Sequence, residues 1–263
     1  YLATLYLKDG YIDQIISQDS IIKDNEALDL EGKWITPGFI DTHSHPTAYG
    51  TTKTMVDCSA NKISNIDELI QQFNVQKENL YKKGWVMGFG YNEKSLEEQR
   101  HPNRFDLDKI SEDIAICVMH YSGHMATVNT KALEYMGVSL DDPDPEGGYY
   151  ERDQHGKVNG VLIEIPATAK LQRVLPEAKP EDTIYTMNLA VDDYVKSGIT
   201  STSDLLIGSR GYIDYEGVLK FLESPQRIRT RWMLSHELLE QNHNLKNIHA
   251  NEIEEKLNNI SNG

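Results

Sequence analysis

Thr36-Pro37-Gly38-Phe39-Ile40-Asp41-Thr42-His43-Ser44-His45-Pro46 decides how the rest of the chain is read, because an apolar run ends in two histidines one residue apart. In a β-strand, side chains at i and i+2 leave on the same face, so His43 and His45 can offer two imidazoles to one metal ion. Pro37 and Gly38 mark the turn into the strand, and Asp41 with Pro46-Thr47-Ala48-Tyr49-Gly50 marks its opening into a loop. The spacing therefore predicts converging imidazoles at the C-terminal end of a buried strand. In a barrel of parallel strands, that is the end where catalytic groups collect.

Composition narrows the partners. A formal charge of −15 excludes the clustered Lys and Arg of a nucleic-acid surface. No apolar run is long enough to span a bilayer, and no signal peptide is visible in a chain that begins at Tyr1, so the expectation is a cytoplasmic protein with no membrane partner. The two cysteines, Cys58 and Cys117, have no zinc-ribbon or disulfide spacing and read as small buried residues.

Residues 1–36 read as short strands, with a hairpin turning at Lys8-Asp9-Gly10 between Ala3–Leu7 and Tyr11–Ile16. Residues 37–46 form the histidine-bearing strand. The next unit of helix then strand begins only at Pro180, where Ile184, Met187, Val191, Tyr194 and Val195 line one helical face that ends at Gly198. Ile199-Thr200-Ser201-Thr202-Ser203-Asp204 follows as a β-branched strand, expected to pair in parallel beside the His43 strand. A helix near Tyr215–Leu222 and a strand from Ile228 to His236 complete the region 180–263, whose last stretch from Glu237 reads as a polar helix. A βαβ unit takes about 30 residues, so the interval 47–179 must hold an inserted α+β region. Within it the pattern predicts a helix at 66–83, strands at Trp85–Phe89 and Ala115–Met119, a short helix at 129–136 and a hairpin from Tyr149 to Ile163.

The run Gly32-Lys33-Trp34-Ile35-Thr36-Pro37-Gly38 through His45 resembles the first barrel strand of the amidohydrolase superfamily of metal-dependent hydrolases. Tyr91-Asn92-Glu93, Pro102-Asn103-Arg104-Phe105-Asp106, Gly123-His124-Met125-Ala126-Thr127-Val128-Asn129 and Gly147-Gly148-Tyr149 through Glu164 resemble its YtcJ-like branch, amidohydrolase family 3. Asn92 departs from the Asp common in that branch. The resemblance implies an α/β fold: an incomplete (β/α)8 TIM-type barrel, a small N-terminal β-sandwich segment and a large insertion. Three barrel strands are found against the eight that close the fold, so the chain resembles the N-terminal part of a larger protein.

The resemblance also implies one or two divalent metals, zinc suiting the ligands, at the barrel mouth. Metal binding lowers the pKa of a water from about 15.7 towards about 7, so that it can attack a carbonyl. The implied reaction is hydrolysis of an amide or formamide C–N bond, non-peptide, in a small molecule. An esterase or lactonase using the same site, and a non-catalytic binding module or fragment, are the alternatives. His43 and His45 are the expected metal ligands. Glu164 is either a bridging metal ligand, a role a downstream lysine could also fill, or a structural ion pair. His124 either lines the substrate pocket, donating to a carbonyl oxygen as charge develops, or caps backbone. The resemblance places the aspartate that handles the proton beyond residue 263, so this chain alone is expected to lack activity. Asn129 reads as an N-cap and Arg152 and Asp153 as shaping the hairpin, while His236 at the end of the third barrel strand either faces the site or is a satisfied strand-end histidine. His101, His120, His155, His243 and His249 have no supporting spacing. Whether the protein is a homo-oligomer is left open.

Overall fold

In the computed structural model, residues 3–17, 27–80, 83–176, 178–208, 212–236 and 238 are described. The polar helix expected beyond Glu237, with His243 and His249, lies outside them. The chain divides into two units, Tyr1–Gly38 and Phe39–Gly263. The first contains an antiparallel hairpin of β1 (Ala3–Lys8) and β2 (Tyr11–Ser17), turned at Asp9-Gly10 with both residues at positive φ. Such a turn matches the right-handed twist of the strands it joins.

The second unit opens with β3 (Phe39–Ser44), followed immediately by helix α1 (Pro46–Thr52). A loop was expected there. Pro46 instead occupies the first helical turn, where its missing N–H costs nothing and its fixed φ suits the helix. The middle of the unit is a six-stranded mixed sheet. Its strands are β4 (Val56–Asp57), β5 (Trp85–Tyr91), β6 (Ala115–His120), β7 (Met125–Val128), β8 (Tyr149–Arg152) and β9 (Val158–Ile163), in the order β4-β5-β6-β7-β9-β8. The first three run parallel and the remaining neighbours antiparallel. Consecutive residues of β5 and β6 enter opposite apolar clusters: Trp85 and Cys117 pack with Val128, Leu133 and Leu162, whereas Val86, Ile116 and Val118 pack with Leu69 and Phe73. The sheet is therefore buried on both faces, as the period of two requires. Burial pushes the Cys117 thiol up to about 12, and Cys58 is likewise buried and raised, so both are inert packing residues. Helices α2 (Ile66–Leu80), α3 (Arg104–Asp108), α4 (Thr130–Met136) and α5 (Ile165–Gln172) accompany this sheet. The sequence pattern does not predict α3 and α5, whose few residues carry too little periodicity to register.

The last part returns to the histidine strand. Helix α6 (Pro180–Lys196) starts with Pro180 in its first turn, and the Asp182 carboxylate accepts the Lys179 N–H at 2.9 Å. Met187, Val191 and Tyr194 bury one stripe against Ile207 and Trp232, while Val195, expected on that stripe, is exposed. Gly198, at φ +76°, turns the chain into β10 (Ile199–Ile207). Helix α7 (Tyr212–Phe221) then leads to β11 (Arg229–Leu234). The strands form a parallel sheet in the order β11-β10-β3. Ile199–Asp204 thus lies beside the His43 strand, as its spacing behind α6 predicted. β3 is not the buried strand expected. Among the described residues it is the sheet's edge, with Phe39 and Ile40 about two-thirds exposed at 67% and 69%. No helix among the described residues is long and apolar enough to cross a membrane.

Helix α1 crosses α6 at Gly50, where an added Cβ would lie 2.1 Å from the Thr186 carbonyl oxygen. Backbone cannot yield as a flexible side chain can. Gly50→Ala is therefore expected to destabilise the protein by about 3 kcal/mol, measured as a lowered urea midpoint. A midpoint equal to that of the wild type would show that this crossing is loose.

Candidate metal centre and the sheet edge

A register shift of the β-bulge kind lies beside the histidine pair. Asp41 lies opposite Thr202 and Ser44 opposite Asp204, so β3 carries one residue more than β10 across this interval. The extra residue lets Asp41 and Ser44 face the same way despite odd spacing, and bulges of this kind re-aim side chains beside functional sites. The Asp41 carboxylate accepts the His43 N–H at 3.1 Å, bracing the bulge. His45 has left the strand and sits at the N-cap position of α1, with φ −137° and ψ 68°. The two rings meet edge-on, their centroids 5.7 Å apart. Two imidazoles on one ion at Zn–N distances of about 2.1 Å have centroids separated by roughly 5 Å, so the pair fits a shared metal. Among the described residues, His45 Nδ1 is also buried without a hydrogen-bond partner. Such an orphan is costly, and a bound cation relieves the cost.

Two anchors hold the pair. The Ser44 hydroxyl is hydrogen-bonded to the Tyr194 hydroxyl on α6. One turn later, Asp204 of β10 accepts both the Thr47 N–H at 2.9 Å and the Thr47 hydroxyl at 2.8 Å. Burial pushes the Asp204 carboxyl up, while the Thr47 donors, the Leu206 N–H and His45 pull it back. The pattern gave Tyr194 only a packing role and Asp204 none, since neither has motif spacing to the histidines.

The other predicted residues gather along one edge of the six-stranded sheet. Tyr91 lies opposite His120 at the ends of β5 and β6, and Met125 opposite Ile163 where β7 starts and β9 ends. Residues just past those positions, Glu93, His124 and Glu164, therefore share an edge with His120. Glu164 Oε2 lies 3.2 Å from His124 Nδ1, and both side chains are more than half exposed. Glu164 has φ 68° and ψ 162°, a region populated almost only by glycine, which costs on the order of 1–3 kcal/mol. Strain of that size persists where the surrounding structure fixes it, here between β9 and the first turn of α5. Among the described residues, no three His, Cys, Asp or Glu side chains form a metal-holding group, so Glu164 is brought to His124 and not into one group with His43 and His45. His236 is exposed just beyond β11. Arg152 binds Asp144 at 3.0 Å and Asp153 accepts the His155 and Lys157 N–H groups, which shapes the hairpin. Asn92 caps the short 3-10 turn after β5 by accepting the Lys94 N–H.

Sequence reasoning gave His120 nothing, yet it is nearly fully buried, with Nε2 2.9 Å from Glu93 Oε2 and Nδ1 2.8 Å from the Ser122 hydroxyl. Burial holds its pKa below the ordinary histidine value, and the opposing pull of Glu93 does not restore it. Burial raises Glu93, but its own N–H together with His101 and His120 more than offsets this, leaving the carboxyl below its usual range.

Comparison with known proteins places these features in context. A family model described as "Amidohydrolase family" matches residues 26–257. The N-substituted formamide deformylase of Arthrobacter pascens is 29% identical over 190 residues, covering 71% of this chain and 35% of that protein. The putative amidohydrolase YtcJ of Bacillus subtilis (strain 168) is 27% identical over 201 residues, covering 74% of this chain and 37% of its own. A crystal structure of an uncharacterized metal-dependent hydrolase from Pyrococcus horikoshii OT3 shares the fold with a TM-score of 0.54 at 22% identity, covering 78% of this chain and 38% of that one. The chain thus spans between a third and two-fifths of the length of each of these relatives.

Proposed function

The chain belongs to the amidohydrolase family, in its YtcJ-like branch, and from that premise we propose that it supplies His43 and His45 as ligands of a divalent metal, zinc suiting them, in a hydrolase of amide or formamide C–N bonds. The observation that carries the reading is the histidine pair itself: two rings brought together at the end of a parallel strand, one with a buried nitrogen that no described residue satisfies. The formamide chemistry in the name of the Arthrobacter pascens relative supports the bond class. The three parallel strands support a (β/α)8 barrel as the larger architecture, with the six-stranded sheet inserted between its first two strands.

When bound, the metal supplies Lewis-acid activation of a water for attack on the carbonyl carbon. The remaining work falls to side chains. Tyr194 and Asp204, through Ser44 and Thr47, keep both imidazoles at one end of β3. A carboxylate only accepts hydrogen bonds, so His124 donates from Nδ1 to Glu164 and presents Nε2 outward. A neutral His124 offers a lone pair at Nε2, whereas its imidazolium offers an N–H there to a carbonyl oxygen gaining negative charge. Glu164 orients that ring in this reading; as a bridging ligand it would have to leave it. The substrate is a small molecule and the setting cytoplasmic.

The test is metal analysis of the purified protein, expressed at the full length of its gene, followed by assays with N-substituted formamides, other amides and esters. Bound divalent metal with turnover of formamides or amides is the expected result. Turnover confined to esters would replace the C–N assignment with an esterase or lactonase, and a metal-free, inert protein would overturn the proposal.

A further inference from the structure

The exposed turn Tyr121–His124 has little packing to define its shape, since Tyr121, Ser122 and His124 are all exposed. The Tyr121 N–H ties it to the Tyr91 carbonyl at 3.0 Å, and the rest of its shape is written by hydrogen bonds that begin at a buried ring. Glu93 Oε2 lies 2.9 Å from His120 Nε2, and a carboxylate can only accept, so Nε2 carries a proton. On the other side, Nδ1 receives the Ser122 hydroxyl at 2.8 Å and the Ser122 backbone N–H at 3.3 Å. A backbone N–H can only donate, so Nδ1 must present a lone pair. Both sides select one ring form, the neutral tautomer protonated on Nε2. With the Ser122 O–H directed at His120, the Ser122 oxygen keeps lone pairs free and accepts the His124 N–H at 3.3 Å. Gly123, at φ +75°, closes the turn by donating to the His120 carbonyl at 3.0 Å. The turn delivers His124 to Glu164.

We infer that His120, fixed by Glu93 as the neutral Nε2–H tautomer, is a positioning residue that sets the Tyr121–His124 turn and thereby presents His124 to substrate. Protonating the ring would put a hydrogen on Nδ1, where it opposes the Ser122 N–H and releases the turn. The charged or titratable groups facing His120 are Glu93 and Lys94 of the 3-10 turn, His101 in the loop after it, Tyr91 on β5 and the adjoining Tyr121. Burial, His101 and Lys94 disfavour the imidazolium, and Glu93 favours it.

The test compares two replacements that each keep half of the ring's bonding. In His120→Asn, Oδ1 can stand near the Nδ1 position and accept from Ser122, but nothing reaches Glu93. In His120→Gln, the side-chain amide can donate to Glu93, but no acceptor faces Ser122. Nitrogen-15 NMR of the wild-type chain should show a neutral His120 protonated on Nε2 at pH 7. The amide signals of Ser122, Gly123 and His124 should stay near their wild-type positions in His120→Asn and move in His120→Gln. They should also move together in the wild type as acid titrates His120. This arm needs no turnover. The kinetic arm rests on the hydrolase reading: His120→Gln should lower kcat roughly tenfold or more with little change in KM, and His120→Asn should recover most of it. A proton on Nδ1, a cationic ring at neutral pH, or equal displacement of the three amides in both variants would overturn the inference. If the Gln variant fails to fold, the wild-type tautomer and its titration still decide.

Discussion

Alanine at His43 or His45, made in the full-length protein, is expected to strip the divalent metal on dialysis and to lower hydrolysis by on the order of a thousandfold or more. Two imidazoles from one strand end supply half of a four-coordinate site, so losing either weakens the metal steeply and takes the activated water with it. The anchors should behave differently. Tyr194→Phe removes the hydroxyl that holds Ser44 but leaves both ligands in place, and outer partners of metal sites typically cost about 10–100-fold when lost. The expected order is therefore His43→Ala and His45→Ala far below Tyr194→Phe, with metal content absent in the first two and reduced in the third. Metal-to-protein ratios and turnover of an N-substituted formamide read both quantities. Full metal occupancy and turnover in His43→Ala would remove the pair from the site and return the search to the sheet edge of His124 and Glu164.

What the sequence revealed depended on how locally each feature was encoded. The strand following α6 could be placed beside β3 because a helix with a Pro at its start and a Gly at its end leads directly into a β-branched run. The hairpin at Asp9-Gly10 and the strands around Trp85 and Ala115 were equally local. The histidine rings do come together, as their i, i+2 spacing predicts, but their local setting was not legible. The register shift beside Thr42 and His43 and the helix-cap position of His45 leave no periodic trace in the residues. Helix α1 was concealed because Pro46 and Gly50 read as loop residues. Their reasons are positional: the proline fills a first turn, and the glycine permits a backbone-close helix crossing. The exposure of β3 was hidden too, because an apolar sequence states what a strand can bury and not which neighbours cover it. His120 and Glu93 lie 27 residues apart, and only the β5–β6 register joins them.

Asn129 shows a short motif carrying structure where a site could have been suspected, and Asn129→Ala is expected to destabilise the protein by about 4 kcal/mol. The side chain is fully buried. Its Oδ1 accepts the Ile116 N–H of β6 at 2.9 Å and the Ala132 N–H of α4 at 3.0 Å. Its Nδ2 donates to the Ser111 and Ile114 carbonyls, both at 2.9 Å. All four hydrogen-bonding positions of the amide are used, and they tie a strand, a helix cap and the preceding loop to one point. Alanine leaves the Ile116 N–H buried without a partner, and each such orphan costs about 1–3 kcal/mol. Asn129→Asp discriminates further because it keeps the shape and the two bonds at Oδ1. Its second oxygen would face two carbonyls, so the folded state favours the protonated acid and raises its pKa above the unfolded value of about 3.9. A raised folded pKa means the variant is closest to wild type below that unfolded value and loses stability as pH rises towards the folded one. Urea unfolding of wild type and both variants at pH 4, 5.5 and 7 should show a constant deficit for Ala and a widening one for Asp. A pH-independent deficit for Asp would mean that water reaches the carboxylate, and with it the buried four-bond junction would be wrong.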